Sequence, residues 1–185
     1  MQVLGVVLAG GKSRRFGSDK ALAMLDGRSL LDRALENLSP MVDAVVVAGR
    51  KDATATTVPD RPRADMGPLG GICGAMVHAQ SEGFDAILTV PVDALHLPSD
   101  LLQRLAPGPA FAAQQPVIAL WPVTTLPALD ALLASTRKHS LRAFAEAVAA
   151  REVALPGDPA NINTPMDLAE FQLRGTSGNS NALHD

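Results

Sequence analysis

The sequence predicts an α/β fold with three layers and a mainly parallel central sheet. Three observations point there. Short apolar runs alternate along the chain with segments of helical period. Two of the runs, Val3-Leu4-Gly5-Val6-Val7-Leu8 and Ala86-Ile87-Leu88-Thr89-Val90, are almost free of polar residues, as strands covered on both faces are. The residues able to do chemistry follow directly behind strands: a glycine-rich cationic stretch after residue 8, Asp60 after 54–58 and Asp93 after 85–90. Ligands of parallel sheets bind beyond the carboxyl ends of the strands, so these three groups are expected on one edge.

The first strand, 3–8, runs into a loop that ends at Lys20. Lys12, Arg14, Arg15 and Lys20 place four cations within nine residues, against one acid, Asp19. Gly10, Gly11 and Gly17 let a ligand approach the main chain, and bare amides beside fixed cations suit a polyphosphate. Two familiar phosphate loops are excluded by spacing. Gly11-Lys12-Ser13 would end a Walker A loop, but its first glycine falls on Val6, and the dinucleotide pattern Gly-x-Gly-x-x-Gly is absent from the loop. The plainer alternative is a solvated basic turn after an edge strand.

Residues 21–27 read as an extended segment and turn. Ser29 then caps a helix to Leu38, with Leu30, Leu31, Ala34, Leu35 and Leu38 at helical spacing. Strands follow over 43–48 and 54–58, the second ending at Pro59-Asp60. After a loop at 62–68, a helix with a small-residue face runs from Leu69 or Gly70 to Ala79. The strand 85–90 stops at Pro91-Val92-Asp93, and 98–105 is a short helix. Segments 110–113 and 117–121 read as antiparallel strands around Gln114-Gln115-Pro116. Helices are expected over 126–135 and 140–150, a last strand over 152–155, and a terminal helix over 165–173 with Thr164 as its cap. Residues 174–185 are polar and rich in Gly and Ser, the composition of a mobile tail. No repeat or interdomain linker is visible, so 1–173 is expected to be a single domain.

Composition narrows the function classes. Of 185 residues, 47% are hydrophobic and 19% charged, which is globular. A net charge of −3 argues against a general binder of nucleic acid or anionic membrane; the cations are local. The single cysteine, Cys73, excludes an internal disulfide, and its small apolar neighbours read as packing rather than a nucleophile. The chain starts in a strand without a charged leader, and no apolar run reaches the length of a membrane span, so a cytoplasmic location is expected. Asp93, closing an apolar strand, is placed to hold a magnesium ion, which takes few carboxylates beside phosphate oxygens and water; a turn or N-cap carboxylate is its alternative. Asp60 reads equally as a turn residue paired with Arg61.

The loop also carries a family likeness. Leu8-Ala9-Gly10-Gly11-x-Ser13-x-Arg15-Phe16-Gly17-x-Asp19-Lys20 resembles the signature of the nucleotidyltransferases with a Rossmann-like fold, and most of all that of the molybdenum cofactor guanylyltransferases. Gly67-Pro68-Leu69-Gly70-Gly71 is similar to the family's helix start, Val90-Pro91-Val92-Asp93 to its magnesium- and triphosphate-binding segment, and Asn161-Ile162-Asn163-Thr164-Pro165-x-Asp167-Leu168 to its C-terminal motif. The likeness spans residues 3 to 173 or so. It implies transfer of GMP from GTP to the terminal phosphate of molybdenum-loaded molybdopterin, with Mg2+ as cofactor and pyrophosphate released. It also implies transient contact with proteins that deliver and accept the cofactor.

The same likeness assigns roles. Lys12, Arg15 and Lys20 hold the triphosphate, Asp93 the metal; Leu8, Ala9, Gly10 and Gly11 line the nucleotide; Asp60 contacts the nucleoside; Asn161 and Asn163 seat the pterin, although a turn with a helix cap would also explain the asparagines. Gly10 is expected to leave room for a purine. Two departures stand out: Ala48-Gly49 stands where the family can carry an asparagine that contacts the nucleotide, and Gln115-Pro116 stands where some relatives have His-Pro. The competing readings are a cytidylyltransferase, or another nucleotidyltransferase, on a related phosphate acceptor, and a non-catalytic nucleotide-binding protein of the same fold.

Overall fold

A computed structural model of the chain describes residues 1–10, 19–64, 66–136, 138–156 and 166–167. Among these the main sheet has the strand order β5-β4-β1-β6-β8-β7-β9. Its strands are β1 (Val3–Leu8), β4 (Ala44–Ala48), β5 (Thr57–Val58), β6 (Ala86–Pro91), β7 (Ala110–Ala112), β8 (Ala119–Pro122) and β9 (Arg151–Val153). A separate hairpin joins β2 (Met24–Leu25) to β3 (Arg28–Ser29). The strands β5, β4, β1 and β6 are mutually parallel, β8 is antiparallel to both β6 and β7, and β9 returns parallel to β7. The three-layer, mainly parallel sheet expected from the sequence is therefore present.

Two cores flank the sheet because its strands alternate faces. Val3 and Val7 of β1 and Leu88 and Val90 of β6 point to one side, under α1 (Leu30–Leu38) and α3 (Leu101–Leu105). Leu4, Val6 and Ile87 point to the other, under α2 (Pro68–Ser81), α4 (Leu126–Ala134) and α5 (Leu141–Ala147). Trp121 of β8 is fully buried there, its ring 4.7 Å from that of Phe144. Covering both faces is what makes β1 and β6 read as nearly continuous apolar runs, the one polar residue, Thr89, being fully buried.

The helix α1 starts as its sequence requires. The Ser29 hydroxyl accepts a hydrogen bond from Asp32 N at 3.1 Å, and Leu30, Leu31, Ala34 and Leu38 are buried. Several bounds differ from expectation. The edge strand β5 is confined to Thr57–Val58 because it pairs with β4 only at its end, Val47 with Thr57 and Ala48 with Val58. Pro98 stands in a turn, with Leu101 N donating to Pro98 O, so α3 begins only at Leu101. After Ala147 the chain reverses at Ala149 (φ 50°), and Ala150 N donates to Ala145 O at 2.8 Å, which closes α5 early. The last strand accordingly starts at Arg151. The expected terminal helix is described only at Met166 and Asp167, both helical; Thr164 and the tail 174–185 lie outside the described residues. Among the described residues no helix is long and apolar enough to cross a membrane.

Candidate active site

Parallel pairing fixes where the chemistry collects. The carboxyl ends of β1, β4, β5 and β6 lie on one edge, and the chain leaves them at Ala9, Gly49, Pro59 and Val92. Backbone hydrogen bonds continue past the strands: Ala9 N donates to Ala48 O at 2.9 Å, and Val92 N to Leu8 O at 3.2 Å. Leu8, Ala9 and Gly10 thus sit between the β4 and β6 ends, with Asp60 and Asp93 on either side.

The strongest side-chain contact of this edge joins Lys20 to Asp93. Lys20 opens a short 3-10 turn, Lys20–Leu22, whose N-cap is Asp19; the Asp19 carboxylate accepts from Ala21 N at 3.1 Å. That turn brings Lys20 Nζ to 2.5 Å from Asp93 Oδ2, across 73 positions of sequence. The two side chains are only 14% and 13% exposed, so the pair is largely withdrawn from water. A primary ammonium beside a carboxylate at a strand end can exchange partners: the ammonium can turn to phosphate oxygens and the carboxylate to a cation.

Asp60 is half-buried and held by the start of α2. Arg61 N donates to Gly70 O at 3.0 Å. The helix comes so close that a Cβ on Gly74 would stand 1.9 Å from Pro59 O, and one on Gly70 3.3 Å from Asp60 Oδ2. The small face expected of this helix is therefore the face on which the 59–60 turn rests. Cys73, also on α2, is buried and its thiol donates to Asp130 Oδ1 at 3.4 Å. Burial, then that hydrogen bond and the Asp130 charge, push its pKa up to about 12 against the opposing pull of Arg61, which makes it an inert packing residue as expected.

Gly10 has a reason the sequence does not display. A Cβ there would lie 2.8 Å from Gly49 Cα and 3.0 Å from Gly49 O. Gly49, at φ 85°, meets Gly10 in the same way: its Cβ would fall 2.5 Å from Gly10 Cα. The two glycines let the β1 and β4 exits touch backbone to backbone, so room beside Gly10 is taken up by the chain itself rather than left for a base. The departure at Ala48-Gly49 is part of this contact.

Arg50, which follows, is a residue of this edge that sequence reasoning missed. Its guanidinium reaches Asp19 through Nη2 (3.1 Å to Oδ2) and Nη1 (3.3 Å to Oδ1). Its position directly behind a strand end was the available signal. Gly11, Lys12, Arg15, Asn161 and Asn163 lie outside the described residues.

The edge suits a metal that brings most of its own ligands. Among the described residues no group of three or more His, Cys, Asp or Glu side chains converges. One carboxylate, Asp93, beside a cation for phosphate is the donor set expected when a hard cation arrives chelated by a triphosphate and keeps its waters.

Residues 5–153 match the family model of the MobA-like NTP transferase domain. The chain belongs to that family. Among MobA-like relatives, a molybdenum cofactor guanylyltransferase of Rhodobacter capsulatus is 38% identical, over 94% of this chain and 97% of its own. One from Rhizobium leguminosarum bv. trifolii is 42% identical over 92% of each. The fold is shared with the molybdopterin-guanine dinucleotide biosynthesis protein A of Archaeoglobus fulgidus, at 23% identity and a TM-score of 0.72, covering 95% of this chain and 100% of that one. The nucleotidyltransferase fold of the MobA-like family is thus the fold of this chain.

Proposed function

We propose that this protein is a molybdenum cofactor guanylyltransferase, transferring GMP from GTP to molybdenum-loaded molybdopterin. The observation that carries the proposal is the Lys20–Asp93 pair at the shared exit of β1 and β6, in a chain whose full-length relatives bear that name.

In the reaction an anionic oxygen of the terminal phosphate of molybdopterin attacks the α-phosphorus of GTP. A new P–O bond forms, the bond to the bridging oxygen breaks, and pyrophosphate leaves with that electron pair. No base is needed, because the attacking phosphate is already ionised. The protein's work is alignment and charge neutralisation. Lys20 turns from Asp93 to the triphosphate, joined by Lys12 and Arg15. Leu8, Ala9, Gly10 and Gly11 line the nucleotide, mainly through their backbone, and Asp60 contacts the nucleoside. Asn161 and Asn163 seat the pterin. Asp93 would hold Mg2+, which supplies charge stabilisation at the phosphates when bound. The setting is the cytoplasm, with transient docking of proteins that deliver and accept the cofactor.

The test uses purified protein, Mg2+, molybdenum-loaded molybdopterin and α-labelled GTP, CTP or ATP. Label entering the dinucleotide from GTP, with one pyrophosphate per transfer, is expected. Preferential use of CTP would replace the guanylyl reading by the cytidylyl one. Nucleotide binding without transfer to any acceptor would leave a silent scaffold.

A further inference from the structure

Residues 48–50, at the exit of β4, hold the chain at residue 10 and again at residue 19. At residue 10 the hold is the Gly49–Gly10 contact and the Ala9 N to Ala48 O hydrogen bond. At residue 19 it is Arg50. The Arg50 side chain is 12% exposed although its partner Asp19 is 50% exposed, so it is the arginine that is embedded. Its Nε donates to Asp52 O at 2.6 Å, which fixes the guanidinium on its own loop while both Nη groups fork onto Asp19. Asp19 in turn caps the turn that carries Lys20, accepting from Ala21 N through the oxygen that Arg50 Nη1 also reaches. An unbroken chain of contacts therefore runs Arg50, Asp19, turn 20–22, Lys20, Asp93.

We propose that Arg50 is a positioning residue for the nucleoside triphosphate: acting through Asp19, it fixes the turn that presents Lys20. The proposal rests on the reading that this edge binds a triphosphate. It gives the β4 exit a part in binding that requires no contact with the base. A planar bidentate fork sets direction as well as charge, which a lysine at this position would not do.

The full-length protein tests it by calorimetric titration with magnesium and GTP, with steady-state kinetics and amide exchange alongside. Arg50→Ala is expected to weaken GTP binding about fivefold, the upper end for a half-exposed ion pair, and Arg50→Lys about twofold. Asp19→Asn keeps an acceptor for the Ala21 amide but drops the charge, and should match Arg50→Ala. The double variant should be no worse than either single one, since both remove one contact. The loss should appear in KM with kcat within about twofold, because the turn still reaches the phosphates once GTP is bound. Amides of Ala21, Leu22 and Ala23 should exchange faster in Arg50→Ala without ligand. Single-variant losses that multiply in the double variant would mean that Arg50 touches the ligand itself and would overturn the proposal. So would unchanged affinity and unchanged exchange in Arg50→Ala. A wild type that binds no nucleoside triphosphate would instead end the functional reading, and a wild type that prefers CTP would change the base while the variants still decide the role of Arg50.

Discussion

Replacing Gly49 by alanine isolates the backbone contact on which this sheet edge is built. Three costs add there. A side chain at φ 85° is strained, by about 1–2 kcal/mol for the left-handed region. The new Cβ would also stand 2.5 Å from Gly10 Cα and 2.6 Å from Gly10 N, against ordinary carbon contacts of about 3.5 Å or more. Both neighbours are backbone, so the β1 and β4 exits must separate by about an ångström, at about 1–3 kcal/mol for overpacking. Weakening the 2.9 Å Ala9–Ala48 hydrogen bond adds up to about 1 kcal/mol. The sum is about 2–6 kcal/mol. Gly27 provides the control: its φ is 78°, yet nothing lies within 4 Å of its would-be Cβ. Gly27→Ala carries the strain alone, and the entropy that alanine removes from the unfolded chain is common to both variants and cancels. Thermal unfolding reads the difference. At about 2–4 °C per kcal/mol for a chain of this size, the remaining ~1–4 kcal/mol should make Gly49→Ala melt about 2–16 °C below Gly27→Ala. Equal melting temperatures would refute the close-approach argument and return Gly10 to a role in admitting the base.

Three further expectations concern single groups. Asp93→Asn should keep the melting temperature within a few degrees but lower transfer about a hundredfold or more, since a metal ligand is worth several kcal/mol; a rate near wild type would move the metal elsewhere. Lys20→Ala removes the ammonium that covers Asp93, so Mn2+ without nucleotide, followed by its electron spin resonance signal, should bind about tenfold more tightly, and no change would show that the pair does not compete with the metal. Cys73 has its pKa raised from 9.0 to about 12, so the folded state keeps its thiol protonated and the stability this confers is complete below pH 9. It is lost as pH rises from 9 towards 12. The stability gap between wild type and Cys73→Ala should be constant up to pH 8 and shrink by about 1.4 kcal/mol per pH unit above 9, and a gap independent of pH would count against a buried thiol.

The strands that form the site are legible because both their faces are buried: β1 and β6 have no solvent side to interrupt the apolar run, and Ser29 marks the start of α1 through a local hydrogen bond. Lys20, Asp60 and Asp93 can be picked out for the same reason, each following a strand whose end is marked by glycine or proline. The long-range contacts at this edge are not legible in this way. Lys20 meets Asp93 across 73 positions and Arg50 meets Asp19 across 31, and no local pattern encodes a partner at that range. The helix bounds that shifted, at Pro98 and Ala149, turn on single backbone hydrogen bonds that propensity does not resolve. Sequence by itself determined the layered fold, the mainly parallel sheet and which residues follow its strand ends, because periodicity and burial act along the chain. Only the tertiary structure decided that Gly10 answers to Gly49 and that Arg50 meets Asp19, because those relations exist only once the parallel pairing of β1 with β4 has placed their exits side by side.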